Sequence, residues 1–152
     1  MMIGLKYIVK IEGVSLNYSK NKYDTILIDA FKGLNAPFEL TTYEALENAK
    51  MLLNDNGLVI TNIISGIDGN EADFLKYEYA TYKAVFDDVK LFKVKDIRTT
   101  EESQNLILIG IKGELNIDDE RKNEYSYLLD REITGFESDK KVVTDDFAPI
   151  GN

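Results

Sequence analysis

The chain contains no cysteine and no histidine among its 152 residues. Their absence excludes disulfides, thiol nucleophiles, imidazole bases and the usual zinc ligands, so we expect no metal cofactor. Acid–base chemistry in this chain therefore depends on aspartate, glutamate, tyrosine or lysine.

Long apolar runs are also missing. No segment approaches the roughly 20 apolar residues of a membrane-spanning helix, and the start, Met1-Met2-Ile3-Gly4, lacks the pattern of a signal peptide. We therefore expect a cytoplasmic protein without membrane contact. The net charge of −9 disfavours binding to nucleic acid or to an anionic membrane. It is compatible with a cationic partner such as a polyamine, and equally with a role in solubility alone.

Apolar segments predict five β-strands. Four of them are Tyr7–Ile11, Thr25–Ile28 (which ends at Asp29), Leu58–Ile64 and Leu106–Ile111, and a fifth, Val89–Val94, alternates in polarity. Nearly continuous apolar strands predict a sheet that is buried on both faces.

Helical patterns lie between these strands. Thr41 and Glu44 have the spacing of a capping box, and the helix that they begin ends before Gly57, which we expect in the left-handed conformation. Further helices are predicted from Asn70 to about Phe86 and around Asp118–Asp130. The alternation of strands and helices predicts an α/β fold, with a mostly parallel sheet flanked by helices in one domain.

Three motifs follow strands or lie near the end of the chain. They are Asp29-Ala30-Phe31-Lys32-Gly33-Leu34-Asn35-Ala36-Pro37-Phe38, Thr61-Asn62-Ile63-Ile64-Ser65 and Thr144-Asp145-Asp146-Phe147-Ala148-Pro149. In this order and spacing they resemble the spermidine synthases, polyamine aminopropyltransferases of the class I methyltransferase fold. The resemblance implies a transferase of polyamine biosynthesis. Such an enzyme moves an aminopropyl group from decarboxylated S-adenosylmethionine, or a methyl group from S-adenosylmethionine, to an amine.

The resemblance also implies a set of site residues. Asp29 matches the family aspartate that positions the attacking amine and removes its proton; alternatively, it only ends a strand and accepts hydrogen bonds from loop amides. The implied cofactor contacts are Glu12, Gly13, Asp29, Ala30, Phe31, Pro37 and Phe38. The implied substrate pocket consists of Lys32, Asn35, Asn62, Asp145, Asp146 and Phe147.

Two substitutions depart from the family pattern. Lys32 stands where the synthases have a second aspartate, and a cation at that place disfavours a diamine substrate. Phe147 stands where the family has tyrosine, which removes a hydroxyl group. The sequence also contains no Gly-x-Gly-x-Gly turn for a nucleoside. We therefore expect an incomplete Rossmann-like methyltransferase fold that lacks the first two strands.

An incomplete fold leaves the strand Thr25–Ile28 with an unpaired edge, which invites association. Tyr7–Ile11 can pair there, in an antiparallel direction because the connection is short for a parallel crossover. Alternatively, a second copy of the chain or a complementing N-terminal half binds this edge. We expect such an association, so the function is either that of an incomplete transferase or that of a non-catalytic interaction module.

Overall fold

The computed structural model describes residues 7–10, 20–32, 40–95 and 99–149, and for 7–10 and 29–32 it describes the backbone. The strands are β1 (Tyr7–Lys10), β2 (Tyr23–Lys32), β3 (Leu53–Ser65), β4 (Asp88–Lys93) and β5 (Gln104–Ile111). The helices are α1 (Tyr43–Leu52), α2 (Asp73–Val85), α3 (Asp119–Glu124) and α4 (Ser126–Leu129), and a 3₁₀ turn (Asn70–Ala72) precedes α2.

The five strands form one sheet in the order β1-β2-β3-β5-β4. β1 pairs with β2 and β2 pairs with β3 in parallel, whereas β5 is antiparallel to both β3 and β4. Of the five strands in the described part of the chain, four therefore point the same way and β5 points the other way. The predicted α/β fold with a mostly parallel sheet is confirmed.

β1 pairs with the edge of β2 that was expected from the sequence to be unpaired. The two strands are parallel, in a register that runs from Tyr7 opposite Thr25 to Lys10 opposite Ile28. The predictions of antiparallel pairing and of an exposed edge at residues 25–28 were therefore wrong. Residues 11–22 separate the strands, and this length meets the dozen or so residues that a parallel crossover needs.

The start of α1 differs by one residue from the predicted capping box. Thr42, rather than Thr41, is the N-cap, and its Oγ1 accepts a hydrogen bond from the backbone N–H of Ala45 at 3.2 Å. Glu44 does not close a box. Its Oε2 instead accepts a hydrogen bond from the backbone N–H of Asp145 at 2.9 Å.

The turn after α1 also differs in detail. Asn56 adopts the left-handed conformation (φ 62°), not Gly57. Gly57 is required for another reason, because a Cβ atom at this position would lie 2.9 Å from the carbonyl oxygen of Asn54. Asparagine is the residue, after glycine, that most readily adopts this conformation.

Both long helices pack on one face of the sheet. They share a core with the buried strand residues Ile26, Ile28, Val59, Ile63, Leu91, Leu106 and Leu108, to which the helices contribute Leu46, Ala49, Phe74, Leu75, Tyr82 and Val85. On the opposite face the side chains of Leu27, Leu58, Ile60, Ile107 and Ile109 are only half-buried. Among the described residues, burial on both faces is therefore incomplete, which differs from the prediction.

The last predicted helix is two short ones. α3 ends at Glu124 and α4 begins at Ser126, because the intervening Tyr125 leaves helical geometry (φ −106°, ψ 18°). No side chain of either helix is buried. In the described part of the chain, no helix has both the length and the apolar character needed to cross a membrane.

The contact between β5 and the end of α2 supplies a test of this packing. A Cβ atom at Gly110 would lie 2.3 Å from the ring of Phe86. We expect Gly110→Ala to lower the free energy of unfolding by about 1–3 kcal/mol, because a buried ring must move. Urea unfolding of Gly110→Ala, Phe86→Leu and the double variant checks this. The loss of unfolding free energy caused by Gly110→Ala should be smaller when Phe86 is replaced by leucine. Equal losses with phenylalanine and with leucine at position 86 would contradict the proposed clash.

Candidate functional site

The carboxyl ends of the parallel strands β2 and β3 lie side by side, where ligands of open α/β sheets bind. Ile28 is opposite Thr61 and Phe31 is opposite Ile63, so two residues of β2 face one residue of β3. Asp29 and Ala30 therefore form a bulge opposite Asn62. Bulges are frequent next to active sites, because they change the direction of a strand.

This geometry corrects the position of Asp29. The sequence predicted a strand that ends at this residue, but β2 continues to Lys32. Asp29 and Ala30 are therefore in the bulge, within the strand, and Phe31 and Lys32 form the end of β2. Asn62 is half-buried in β3 and pairs with Ile107 of β5 on its other side.

The C-terminal motif lies at the start of α1. Asp145 Oδ1 accepts a hydrogen bond from Thr42 Oγ1 at 2.7 Å, and the motif closes a turn in which Thr144 and Phe147 exchange backbone hydrogen bonds. Asp146 and Phe147 are exposed in this turn. The structure therefore links Asp145 to the segment after residues 33–39, and it gives Asp146 and Phe147 no corresponding contact among the described residues.

Val143 attaches this C-terminal segment to both long helices. It is fully buried, its carbonyl oxygen accepts from the N–H of Tyr43 at 2.8 Å, and its N–H donates to Thr81 Oγ1 at 3.0 Å. The segment therefore connects α1 and α2 at the edge of the sheet where β2 and β3 end.

Glu78, a fully buried carboxyl group on α2, was not predicted from the sequence as a site residue. Thr41 Oγ1 donates a hydrogen bond to its Oε1 at 2.8 Å, and its Oε2 has no hydrogen-bond partner among the described residues. Burial raises the pKa of Glu78 to about 8, although the Thr41 hydrogen bond acts to lower it. Glu78 is therefore protonated at neutral pH. The signal in the sequence was one glutamate on the apolar face of a helix, four residues from Phe74 and four from Tyr82.

A second buried polar pair joins α2 to β3. The hydroxyl groups of Tyr82 and Thr61 are hydrogen-bonded, and Thr61 directly precedes Asn62. Burial raises the pKa of Tyr82, so that its hydroxyl stays protonated. α2 therefore contacts both sides of the candidate site, through Thr61 on β3 and through Thr41 before α1.

Several predicted site residues lie outside the described residues: Glu12, Gly13, Asn35, Pro37 and Phe38. In the described ranges, no three Asp or Glu side chains converge in a way that would hold a metal ion.

The turn after β3 does not offer a nucleoside cradle. The backbone N–H of Gly66 donates to the carbonyl of Glu71, and those of Ile67 and Asp68 donate to the carbonyl of Thr100. These amides are therefore used within the protein and do not point at a ligand. The described residues thus do not fit a complete nucleoside site.

Comparison with known proteins gives a partial match. No protein-family model matches the chain. Over 90 residues it is 34% identical to the polyamine aminopropyltransferase of Vibrio vulnificus (strain CMCP6). The aligned segment covers 59% of this chain and 27% of that relative. A probable spermidine synthase from Corynebacterium glutamicum ATCC 13032 has a similar fold, with a TM-score of 0.59 and 21% identity. The chain is therefore similar to spermidine synthases in part of its sequence and in its fold.

A second solved structure supports the same fold. It is a spermidine synthase in complex with the transition state analogue AdoDATO, with a TM-score of 0.55 and 18% identity. The matches cover 87% and 88% of this chain but only 52% and 42% of the two solved chains. The spermidine synthase-like chain therefore spans about half, or less, of the length of these relatives.

The buried carboxyl group of Glu78 predicts a pH dependence of stability. Its folded-state pKa of about 8 lies above the ordinary value of 4.5, so its stabilising effect is complete below pH 4.5 and is lost as the pH rises through 8. Glu78→Gln keeps an acceptor for Thr41 and removes the titration. From pH 5 to 8.5, we expect the variant to gain roughly 2–5 kcal/mol of unfolding free energy relative to the unchanged protein.

Urea unfolding at pH 5, 7 and 8.5 measures this gain. Glu102→Gln, the same change at an exposed loop position, is the matched control and should show none. Parallel pH profiles for the unchanged protein and Glu78→Gln would contradict a buried, protonated Glu78.

Proposed function

We propose that this spermidine synthase-like chain provides the acceptor side of a transferase site, at which an amine receives an aminopropyl group from decarboxylated S-adenosylmethionine or a methyl group from S-adenosylmethionine. The observation that carries the proposal is the bulge in β2, which puts Asp29 and Ala30 opposite Asn62 at the carboxyl ends of two parallel strands. The match to a polyamine aminopropyltransferase supports the reaction class.

Asp29 is the proposed catalytic residue. Its carboxylate pairs with the cationic amine and accepts the proton that the nitrogen must lose. The nitrogen forms a bond to the transferred carbon while the carbon–sulfur bond of the sulfonium donor breaks, so that a neutral thioether leaves. We assign to the amide of Asn62, on the neighbouring strand, the orientation of the same amine. Asp145 holds the start of α1 through Thr42, and this contact steadies the chain that follows Pro37 and Phe38.

Lys32 restricts the choice of acceptor. It lies three residues after Asp29, at the end of β2, and a second ammonium group bound there would meet a like charge. A monoamine, or an amine whose second charge lies elsewhere, is therefore the proposed acceptor in preference to a short diamine.

The nucleoside needs groups beyond those described. When bound, it supplies the electrophilic carbon. We assign Glu12 and Gly13 to contacts with its base, and Ala30, Phe31, Pro37 and Phe38 to the apolar wall. The sequence has no Gly-x-Gly-x-Gly turn, and the amides after β3 are already used. Full cofactor binding then requires a glycine-rich segment that this sequence does not contain.

The alternative proposal is a non-catalytic module that keeps the core of the fold. The specific observation in its favour is the lack of a Gly-x-Gly-x-Gly turn in the sequence, together with Lys32 in place of an acidic residue. In this case the sheet and its two covering helices remain, but neither the amine nor the nucleoside binds.

Amine binding tests the first proposal without depending on the nucleoside. We expect calorimetric titration with propylamine to show saturable binding that Asp29→Asn weakens about tenfold, because one charge-assisted contact is lost. Asp24→Asn is the matched control in the same strand and should leave propylamine binding unchanged.

Lys32→Asp supplies the second arm of this experiment. It should increase the affinity for putrescine more than the affinity for propylamine. If propylamine binding is absent at millimolar concentration, or if Asp29→Asn has no effect on it, the acceptor site does not exist.

Titration with methylthioadenosine and S-adenosylmethionine separates the two proposals. We expect weak, millimolar binding, because the residues proposed for the apolar wall are present but the sequence has no Gly-x-Gly-x-Gly turn. The absence of heat with either nucleoside, together with the absence of amine binding, would leave the non-catalytic module as the function.

A further inference from the structure

A groove of about 450 Å³ lies on the half-buried face of the sheet, opposite α1 and α2. Its apolar lining comes from two strands, the residue after β4 and the last helix: Phe92, Val94, Ile107, Ile109, Leu128 and Leu129. Volumes of about 300–1,000 Å³ with such a lining are typical of small-molecule sites.

The topology leaves this groove open. The connections from β2 to β3 and from β3 to β4 step in the same direction along the sheet, and right-handed crossovers then put α1 and α2 on the same face. The helices that cover the core are therefore on the other side. α4 reaches the groove only at its border, where Leu128 remains 44% exposed.

The charges at the groove are of one sign. Among the described residues that line it, the charged ones are Lys93 and Arg131, in a chain whose net charge is −9. The guanidinium group of Arg131 donates a hydrogen bond to the carbonyl oxygen of Val94, which holds it at the rim. Arginine has five N–H donors in a planar fork that matches a carboxylate. An apolar lining with a cationic rim is complementary to an amphipathic anion.

We propose that this groove binds a small molecule that has an apolar body and one carboxylate, of the kind represented by a medium-chain acyl carboxylate. The apolar body covers Ile107, Ile109 and Phe92, and the carboxylate pairs with Arg131. Ile107 is opposite Asn62 in the sheet, and Asn62 is opposite the bulge in β2. Two strand spacings, about 10 Å, therefore separate the groove from Asp29, and the site does not depend on transferase activity.

Calorimetric titration of the whole chain with octanoate and with 1-octanol tests the proposal. We expect saturable 1:1 binding of octanoate with a Kd near or below about 1 mM. The binding of 1-octanol, which has the same apolar chain without the charge, should be about tenfold weaker. Arg131→Gln should weaken octanoate binding about tenfold, whereas Arg121→Gln, the same change on α3 outside the lining, should not alter it.

Several results would overturn the proposal. They are no saturable heat with octanoate, equal binding of 1-octanol, and an octanoate affinity that Arg131→Gln leaves unchanged. Light scattering tests the alternative that a second copy of the chain occupies this groove. If the chain is a dimer that Leu128→Asp converts to a monomer, the groove is an interface between two copies and not a ligand site.

Discussion

The direction of the connections along the sheet is the constraint on which the rest of this structure depends. From β2 to β3 and from β3 to β4, the chain moves the same way, and the antiparallel β5 fills the position between β3 and β4. Because parallel crossovers are right-handed, α1 and α2 share one face. One face of the sheet consequently has a complete core, and the other has a row of half-buried aliphatic side chains. The candidate site at the strand ends and the groove on the second face both result from this arrangement.

Buried polar contacts then hold the helices against the ends of the strands. Glu78 and Tyr82 are one turn apart on α2, and they bond to Thr41 and to Thr61, respectively. A buried carboxyl group that lacks a full set of partners is costly when ionised, so a proton on Glu78 is part of the folded structure at neutral pH. The polar interior of α2 thereby connects the stability of the fold to the geometry of the candidate site.

Much of the fold was predictable from residue patterns. The strands at Leu58–Ile64 and Leu106–Ile111 and the helix beginning near Asn70 are where apolar periodicity predicts them, because burial selects these patterns directly. The capping residue and the left-handed residue were each misplaced by one position. At both places, two adjacent residues have suitable chemistry, and only their tertiary contacts, such as Thr41 with Glu78, decide between them.

The amino-acid sequence by itself determined the class of fold, the spermidine synthase-like motifs and the carboxylate proposed as the base, because each depends on local composition and order. The tertiary structure alone decided that β1 pairs in parallel with β2, that the bulge at Asp29 faces Asn62, and that Thr42 bonds to Asp145. These facts depend on the alignment of segments that are distant in the chain. Register and buried pairing depend on the packing of the whole sheet, and no local pattern of residues encodes them.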